Sequence, residues 1–443
     1  MGLKLVVPEV EIVLYKHGFV GKDLLGRAKT GKRLSELVEK IDDPMVIALD
    51  GAWGSGKSLF LKMWVGEHTK EFGGTAKTVY FDAFKNDYLD DPLIALTGEI
   101  VDRFKGEKGR WEKARPAVAK ISRAAVRLGV AAATQGLSEV AGAITDAVIK
   151  QGGDELADAT EKLWEKEDGR RVAMKEFEEG LIAMTYPDGE KGEPRKIVIV
   201  IDELDRCRPD YALSLLEVIK HFFAVPHVHF VLGVNLVELQ NSVRARYGAG
   251  IDAAKYLQKF VHVRMPIRPA IPARGDTSDY SIYFEKVVSR LGIADSFPHE
   301  GLRNYLAMVN HHDTITLRDI EKICTLAVVT PTIGIDTTTD FHLFPGLLIL
   351  QIVKPEWIEL ARRGELPFKK VESFFKFDRT MQDSSFFRTA LWTWKLALEK
   401  EAIEPTGKQT IEQLGGQFMD VGRYSDVSRI ISNCLDSFHL DLD

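Results

Sequence analysis

The residues best equipped for chemistry lie in two short stretches far apart in the chain. The first is Gly51-Ala52-Trp53-Gly54-Ser55-Gly56-Lys57-Ser58, set between the apolar run MVIALD (45–50) and the helical stretch LFLKMWVGEH. This is GxxxxGKS in a strand–loop–helix context. Glycines allow such a loop to curl with its N–H groups pointing inward at phosphate oxygens, and the following helix presents its positive end to the same anion. Lys57 then reaches the β- and γ-phosphates, and Ser58 offers its hydroxyl to Mg2+. The expected binding set is Gly51, Trp53, Gly54, Ser55, Gly56, Lys57, Ser58 and Leu59, with ATP and Mg2+ as cofactors.

The second stretch is IVIVIDELDRC (197–207), an apolar run ending in Asp202-Glu203. A Mg2+-dependent nucleotide hydrolase needs an acid to hold the metal and a second to orient the attacking water; Asp202 and Glu203 stand in those places. Alone, the pair would equally serve to cap the next helix. Paired with the upstream GxxxxGKS, it reads as metal and catalytic chemistry. Asn235 closes a further apolar run, HVHFVLGVN (227–235), where its amide would reach the γ-phosphate or the water; the plainer reading is an Asn in the strand-exit turn. Arg206 and Arg208 follow the acids. Arg206 suits an arginine finger supplied to a neighbouring subunit, with Arg244 and Arg246 as rivals, or a surface ion pair with Asp205 or Asp210.

Positioning these residues requires a sheet. MVIALD (45–50), TVYFDAF (78–84), KIVIVIDEL (196–204) and HVHFVLGVN are apolar on both faces and separated by helical stretches, which predicts a parallel sheet covered by helices. The fold class is α/β, divided as a first core part (1–104), a helical insertion (105–190), a second core part (191–268) and a C-terminal helical region (279–443). Within the insertion, Arg127 and Glu139 leave an uncharged run of only 11 residues, short of the ~20 that a membrane span needs. MPIRPAIPARGDTS (265–278) marks the boundary before the C-terminal region. There, His311-His312-Asp313 lacks further ligands at metal spacing and reads as a turn and cap; Trp392, Trp394 and the phenylalanines of 369–387 read as core.

Composition narrows the classes further. Lysine and arginine number 59 against 65 acids, a net charge of −6, which disfavours a nucleic-acid coat. Three scattered cysteines suit a reducing, cytoplasmic setting rather than a disulfide framework. The opening MGLKLVVPEVEIV is not a signal peptide, and Val6 breaks a myristoylation pattern. No NKxD is present to read guanine, which favours ATP or loose base selectivity.

Residues 45–330 resemble the KAP family of P-loop NTPases, relatives of the STAND and AAA+ proteins. The resemblance rests on GAWGSGKS, VYFDAFKND with DDPLIAL, IDELDRCRPDYALSLLEVIKHFFAVPHVHFVLGVN, KYLQKFVHVRMPIRP and TITLRDIEKI, in family order. Phe84 stands where relatives usually have tryptophan, and Asn235 where they often have aspartate. The resemblance implies an ATPase with a helical lid, with Arg318 placed against the γ-phosphate. It also implies a bacterial anti-phage setting. An arginine finger between subunits would require homo-oligomers, and the small size with no effector domain favours a separate effector partner. The membrane-spanning insertion of many relatives does not carry over. Two activities follow: an ATPase whose cycle drives a conformational or assembly switch, and a nucleotide-gated scaffold of very slow turnover.

Overall fold

In the computed structural model the described residues are 11–89, 91–105, 117, 121, 158–186, 193–222, 225–267, 279–292, 298–309, 315–332, 335, 338–377, 385–399 and 427–436. His311-His312-Asp313 and most of the 105–190 insertion lie outside them. The chain divides into two units. One holds Glu11–Gly51 and Gly56–Ile267, and the other holds Ala52–Ser55 with the described residues from 279 onward.

The first unit is built on the four apolar runs, which form β1 (Met45–Asp50), β2 (Lys77–Asp82), β3 (Ile197–Asp202) and β4 (Val228–Val234). A fifth strand, β5 (Val263–Pro266), was not anticipated from the sequence; it is short, alternates in burial and ends at a proline, as an edge strand does. All pairs are parallel, in the order β2-β3-β4-β1-β5. The run 78–84 leaves the sheet at Asp82, because Phe84–Asn86 turns as a 3-10 helix. The register aligns Asp82 with Asp202 and Asp50 with Val234, so the carboxyl ends of the strands share one rim.

Two apolar layers cover the sheet. On one face Val79, Phe81, Ile199, Ile201, Phe230 and Leu232 pack with α3 (Pro92–Phe104), α4 (Asp158–Thr185), α5 (Pro209–His221) and α6 (Leu236–Tyr247). On the other, Ile47, Leu49, Tyr80, Val198, Val200 and Val231 meet α1 (Ala28–Lys40) and α2 (Lys57–Glu67). Helix α4 falls within the stretch expected from sequence to be a helical insertion (105–190), and its Phe177, Leu181 and Met184 are fully buried. The open edge of β2 is blocked by side chains: the Tyr80 N–H donates to the Tyr15 hydroxyl (2.8 Å), and Arg103 Nε donates to the Thr78 carbonyl (2.9 Å). The Arg103 guanidinium lies 3.9 Å from the Tyr15 ring centroid, so the two plugs brace each other. A short helix, α7 (Ala253–Leu257), leads to β5.

Apart from the loop Ala52–Ser55 and short connections, the described elements of the second unit are helices: α8 (Asp279–Leu291), α9 (His299–Val309), α10 (Leu317–Val329), α11 (Thr338–Val353), α12 (Pro355–Arg362), α13 (Phe368–Phe375), α14 (Ser385–Leu398) and the short α15 (Val427–Ile430). Its core includes Trp394, whose indole N–H donates to the Tyr305 hydroxyl (2.9 Å), and Tyr305 in turn donates to the His342 carbonyl (2.7 Å). Phe368, Val371, Phe374 and Phe375 are buried, so the described phenylalanines of α13 are packing residues. All three cysteines are buried thiols, and no described helix is long and apolar enough to cross a membrane.

His229, in the middle layer, is fully buried, and burial pushes its pKa down to about 4, assisted by the nearby Lys196 ammonium. The folded state therefore keeps this imidazole neutral, whereas the unfolded chain takes up a proton below about pH 6.5. Stability is fully present above that pH and falls as the pH drops toward 4, by up to about 3 kcal/mol. Urea unfolding across pH 4 to 7 should show this loss, and His229→Gln should flatten it. An unchanged slope in the variant would remove His229 as the cause.

Candidate active site

Lys57, Ser58, Asp202, Glu203 and Asn235 stand at the rim because a strand ends or a helix begins there. Helix α2 begins at Lys57, after Gly56 takes a left-handed conformation (φ 82°) that costs a residue with a Cβ dearly. Lys57 is only 8% exposed, and its ammonium donates to the Gly51 carbonyl at 2.6 Å. Burial depresses its pKa; Asp205, Asp202 and Asp50 oppose that shift, and the Arg206 charge adds to it. Ser58, one residue on, donates to Glu203 Oε1 (3.1 Å). Leu59 is half-buried and packs into the layer beneath.

Asp202 ends β3 with no solvent exposure. Its Oδ2 accepts from the Tyr80 hydroxyl (2.7 Å) and its Oδ1 from the Glu203 N–H (2.9 Å). Burial pushes its pKa up to about 6, against the hydrogen bonds from Tyr80 and Ser58 that favour the carboxylate. Glu203 is in the left-handed region (φ 59°), a conformation that costs a non-glycine residue on the order of 1 kcal/mol and that turns the chain sharply into Leu204–Arg206. Arg206 lies on Glu203 of its own chain, Nη1 to Oε1 at 2.9 Å. Arg208 donates to the Asp87 carbonyl (2.6 Å).

Asn235 serves as the cap of α6, its amide oxygen accepting from the Val237 N–H at 3.1 Å. The strand-exit role is thus realised. Arg318 belongs to the helical unit, as the exposed second residue of α10 behind a Thr316–Asp319 capping box. Gly54 (φ 76°) groups with that unit, and its carbonyl accepts from the Leu317 N–H at 3.1 Å. Ser55 belongs to the same loop segment, as does Trp53, which is 44% exposed.

Three contributors escape the motif reading. Asp50, the last residue of β1, is bound by the Arg264 guanidinium (Nε to Oδ2, 2.8 Å) and by the Leu236 N–H (2.9 Å), which fastens β1, β5 and the exit of β4 just before Gly51. An acid ending an apolar run was a visible signal. Tyr80 looks like any aromatic residue of a buried strand, and nothing in the sequence marks it. Gly233 interrupts β4; a Cβ there would lie 2.5 Å from Asp202 Oδ1 and 2.5 Å from Leu61 Cδ1. A glycine inside a strand signals close approach of this kind.

Among the described residues no group of three or more His, Cys, Asp or Glu side chains forms a metal cage. The donor set nevertheless fits Mg2+. Ser58 and the acids 202–203 are hard oxygen donors in contact with one another, and Mg2+ is usually held by one or two such groups plus phosphate oxygens and water. Ser58 and Asp202 would hold it, beside an ammonium suited to phosphate.

Gly233→Ala should therefore destabilise the protein by about 1–3 kcal/mol in urea unfolding, since both neighbours must move. A midpoint equal to wild type would show that Asp202 and Leu61 give way freely.

Residues 27–330 match the KAP family P-loop domain. No curated protein matches the chain. Among solved structures, the Aeropyrum pernix ORC2 protein in ADPNP-ADP complexes is 12% identical, covering 93% of this chain and 90% of that one at a TM-score of 0.37. Drosophila ORC bound to DNA is 13% identical, covering 88% and 86% at a TM-score of 0.38.

Proposed function

The chain belongs to the KAP family of P-loop NTPases, and from that premise we propose that it binds ATP with Mg2+ and hydrolyses it to ADP and phosphate in a cycle that switches its conformation or assembly. The observation that carries this reading is the convergence of Lys57, Ser58, Asp202 and Glu203 at one rim of the sheet. Lys57 would neutralise phosphate charge, and Ser58 and Asp202 would hold the cation. When bound, Mg2+ supplies positive charge against the phosphate oxygens. Glu203 accepts a hydrogen bond from the attacking water and takes its proton as the water oxygen bonds the γ-phosphorus and the bond to the ADP oxygen breaks.

A second reading is supported by one specific observation. Glu203 Oε1 is engaged by both Arg206 and Ser58, so a base held in this way turns over slowly and suits a nucleotide-gated scaffold that recruits an effector. In the first reading Arg206 leaves Glu203 during the cycle, within its own subunit or toward a neighbour's nucleotide. The wider setting is part of the proposal: the anti-phage role rests on the family resemblance, the cytoplasmic location on the scattered cysteines, and the homo-oligomer on an arginine acting between subunits.

ATP turnover per protomer across a protein concentration series separates these readings. The ATPase reading expects turnover in the wild type and a loss of about 100-fold or more in Glu203→Gln, with a rate that climbs with concentration if an arginine acts between subunits. Turnover that survives in Glu203→Gln would remove Glu203 as the base. A wild type that binds ATP without turning it over would establish the scaffold reading.

A further inference from the structure

The Asp202 carboxylate is seated in a socket made by residues from both adjacent strands. From β2, the Tyr80 hydroxyl donates to Oδ2 at 2.7 Å; from the turn after β3, the Glu203 N–H donates to Oδ1 at 2.9 Å. From β4, Gly233 leaves the space beside Oδ1 that a side chain would fill. Tyr80 and Asp202 are both buried. Packing alone does not require a tyrosine here. It shares an apolar layer with Leu61, Val198 and Val200, Val200 being its register partner on β3, and a phenylalanine would fill the same volume without a hydroxyl that must find a partner. The tyrosine is itself fixed, since its N–H is held by the Tyr15 hydroxyl and Lys62 Nζ lies 5.9 Å from its ring centroid.

Resting on the phosphate-site reading above, we propose that Tyr80 is a positioning residue for the metal. Its hydroxyl locks the Asp202 carboxylate in one orientation, so that the divalent cation brought by the nucleotide meets a preset acceptor. The carboxylate torsion of an aspartate is otherwise broad, and a carboxylate free to swing would have to be ordered each time the cation binds. Partners that orient a metal-holding side chain from behind are worth about 10- to 100-fold in metal affinity.

The test uses the full chain and a fluorescent ATP analogue, titrated without metal and across a Mg2+ series. Tyr80→Phe removes one oxygen and keeps the ring. It should bind the analogue without metal within about twofold of wild type, yet need about tenfold more Mg2+ for half-maximal tightening. Tyr15→Phe, which takes the hydroxyl from the Tyr80 N–H but leaves the Tyr80 hydroxyl in place, should lower the unfolding midpoint without changing the Mg2+ requirement. A Tyr80→Phe protein with the wild-type Mg2+ requirement overturns this inference alone. So does one that fails to fold, because the hydroxyl would then serve the fold. A wild type that binds the analogue with affinity indifferent to Mg2+ also overturns this inference, while one that does not bind the analogue at all overturns the phosphate-site reading.

Discussion

Lys57 places an ammonium where little water reaches it, beside Asp202, Asp205 and Asp50, all of them buried. Charges in such surroundings are costly unless they offset one another and are hydrogen-bonded. The rim satisfies that condition through its neighbours: Gly51 for Lys57, Tyr80 and the Glu203 N–H for Asp202, and Arg264 with the Leu236 N–H for Asp50. The arrangement sets positive and negative charge together along one edge. Anionic phosphate and a divalent cation would complete the same pattern.

The sheet makes this possible. Parallel strands send all their carboxyl ends to one side, and the register sets Asp82 beside Asp202 and Asp50 beside Val234. Local deviations then aim the groups. Gly56 bends the loop into α2, Gly233 makes room for a carboxylate, and Glu203 occupies a left-handed conformation supported by its N–H bond to Asp202. A strained non-glycine residue at the end of a buried strand persists only where its surroundings enforce it. The Tyr15–Arg103 brace at the far edge of β2 steadies the strand that carries Tyr80.

Much of this could be read from the chain alone, for physical reasons. Strands buried on both faces declare themselves as unbroken apolar runs, and a phosphate loop has few alternative spacings, so β1 to β4 and residues 51–58 stood out. β5 did not, because four residues at an edge carry little apolar signal. Asp202 and Glu203 were visible as acids ending such a run. Their partners were not: the Tyr80 hydroxyl is hidden within an aromatic strand residue, and the contact between Gly233 and Asp202 joins residues 31 apart. Arg206 was read as a group for another subunit or for a nearby aspartate, and the structure sets it on Glu203, three residues back. Side-chain pairing inside one turn depends on the backbone angle at Glu203, which sequence pattern does not encode.

Direct binding asks most plainly whether Lys57 and the carboxylates around it form a phosphate site. Calorimetric titration of ATP in the presence of Mg2+ should show saturable binding to the wild-type chain, weakened by about 100-fold or more in Lys57→Met, equal to nearly 3 kcal/mol. The fold of the variant, checked by its unfolding midpoint, should be retained. Equal affinity in the two proteins, or no binding in either, would contradict the account.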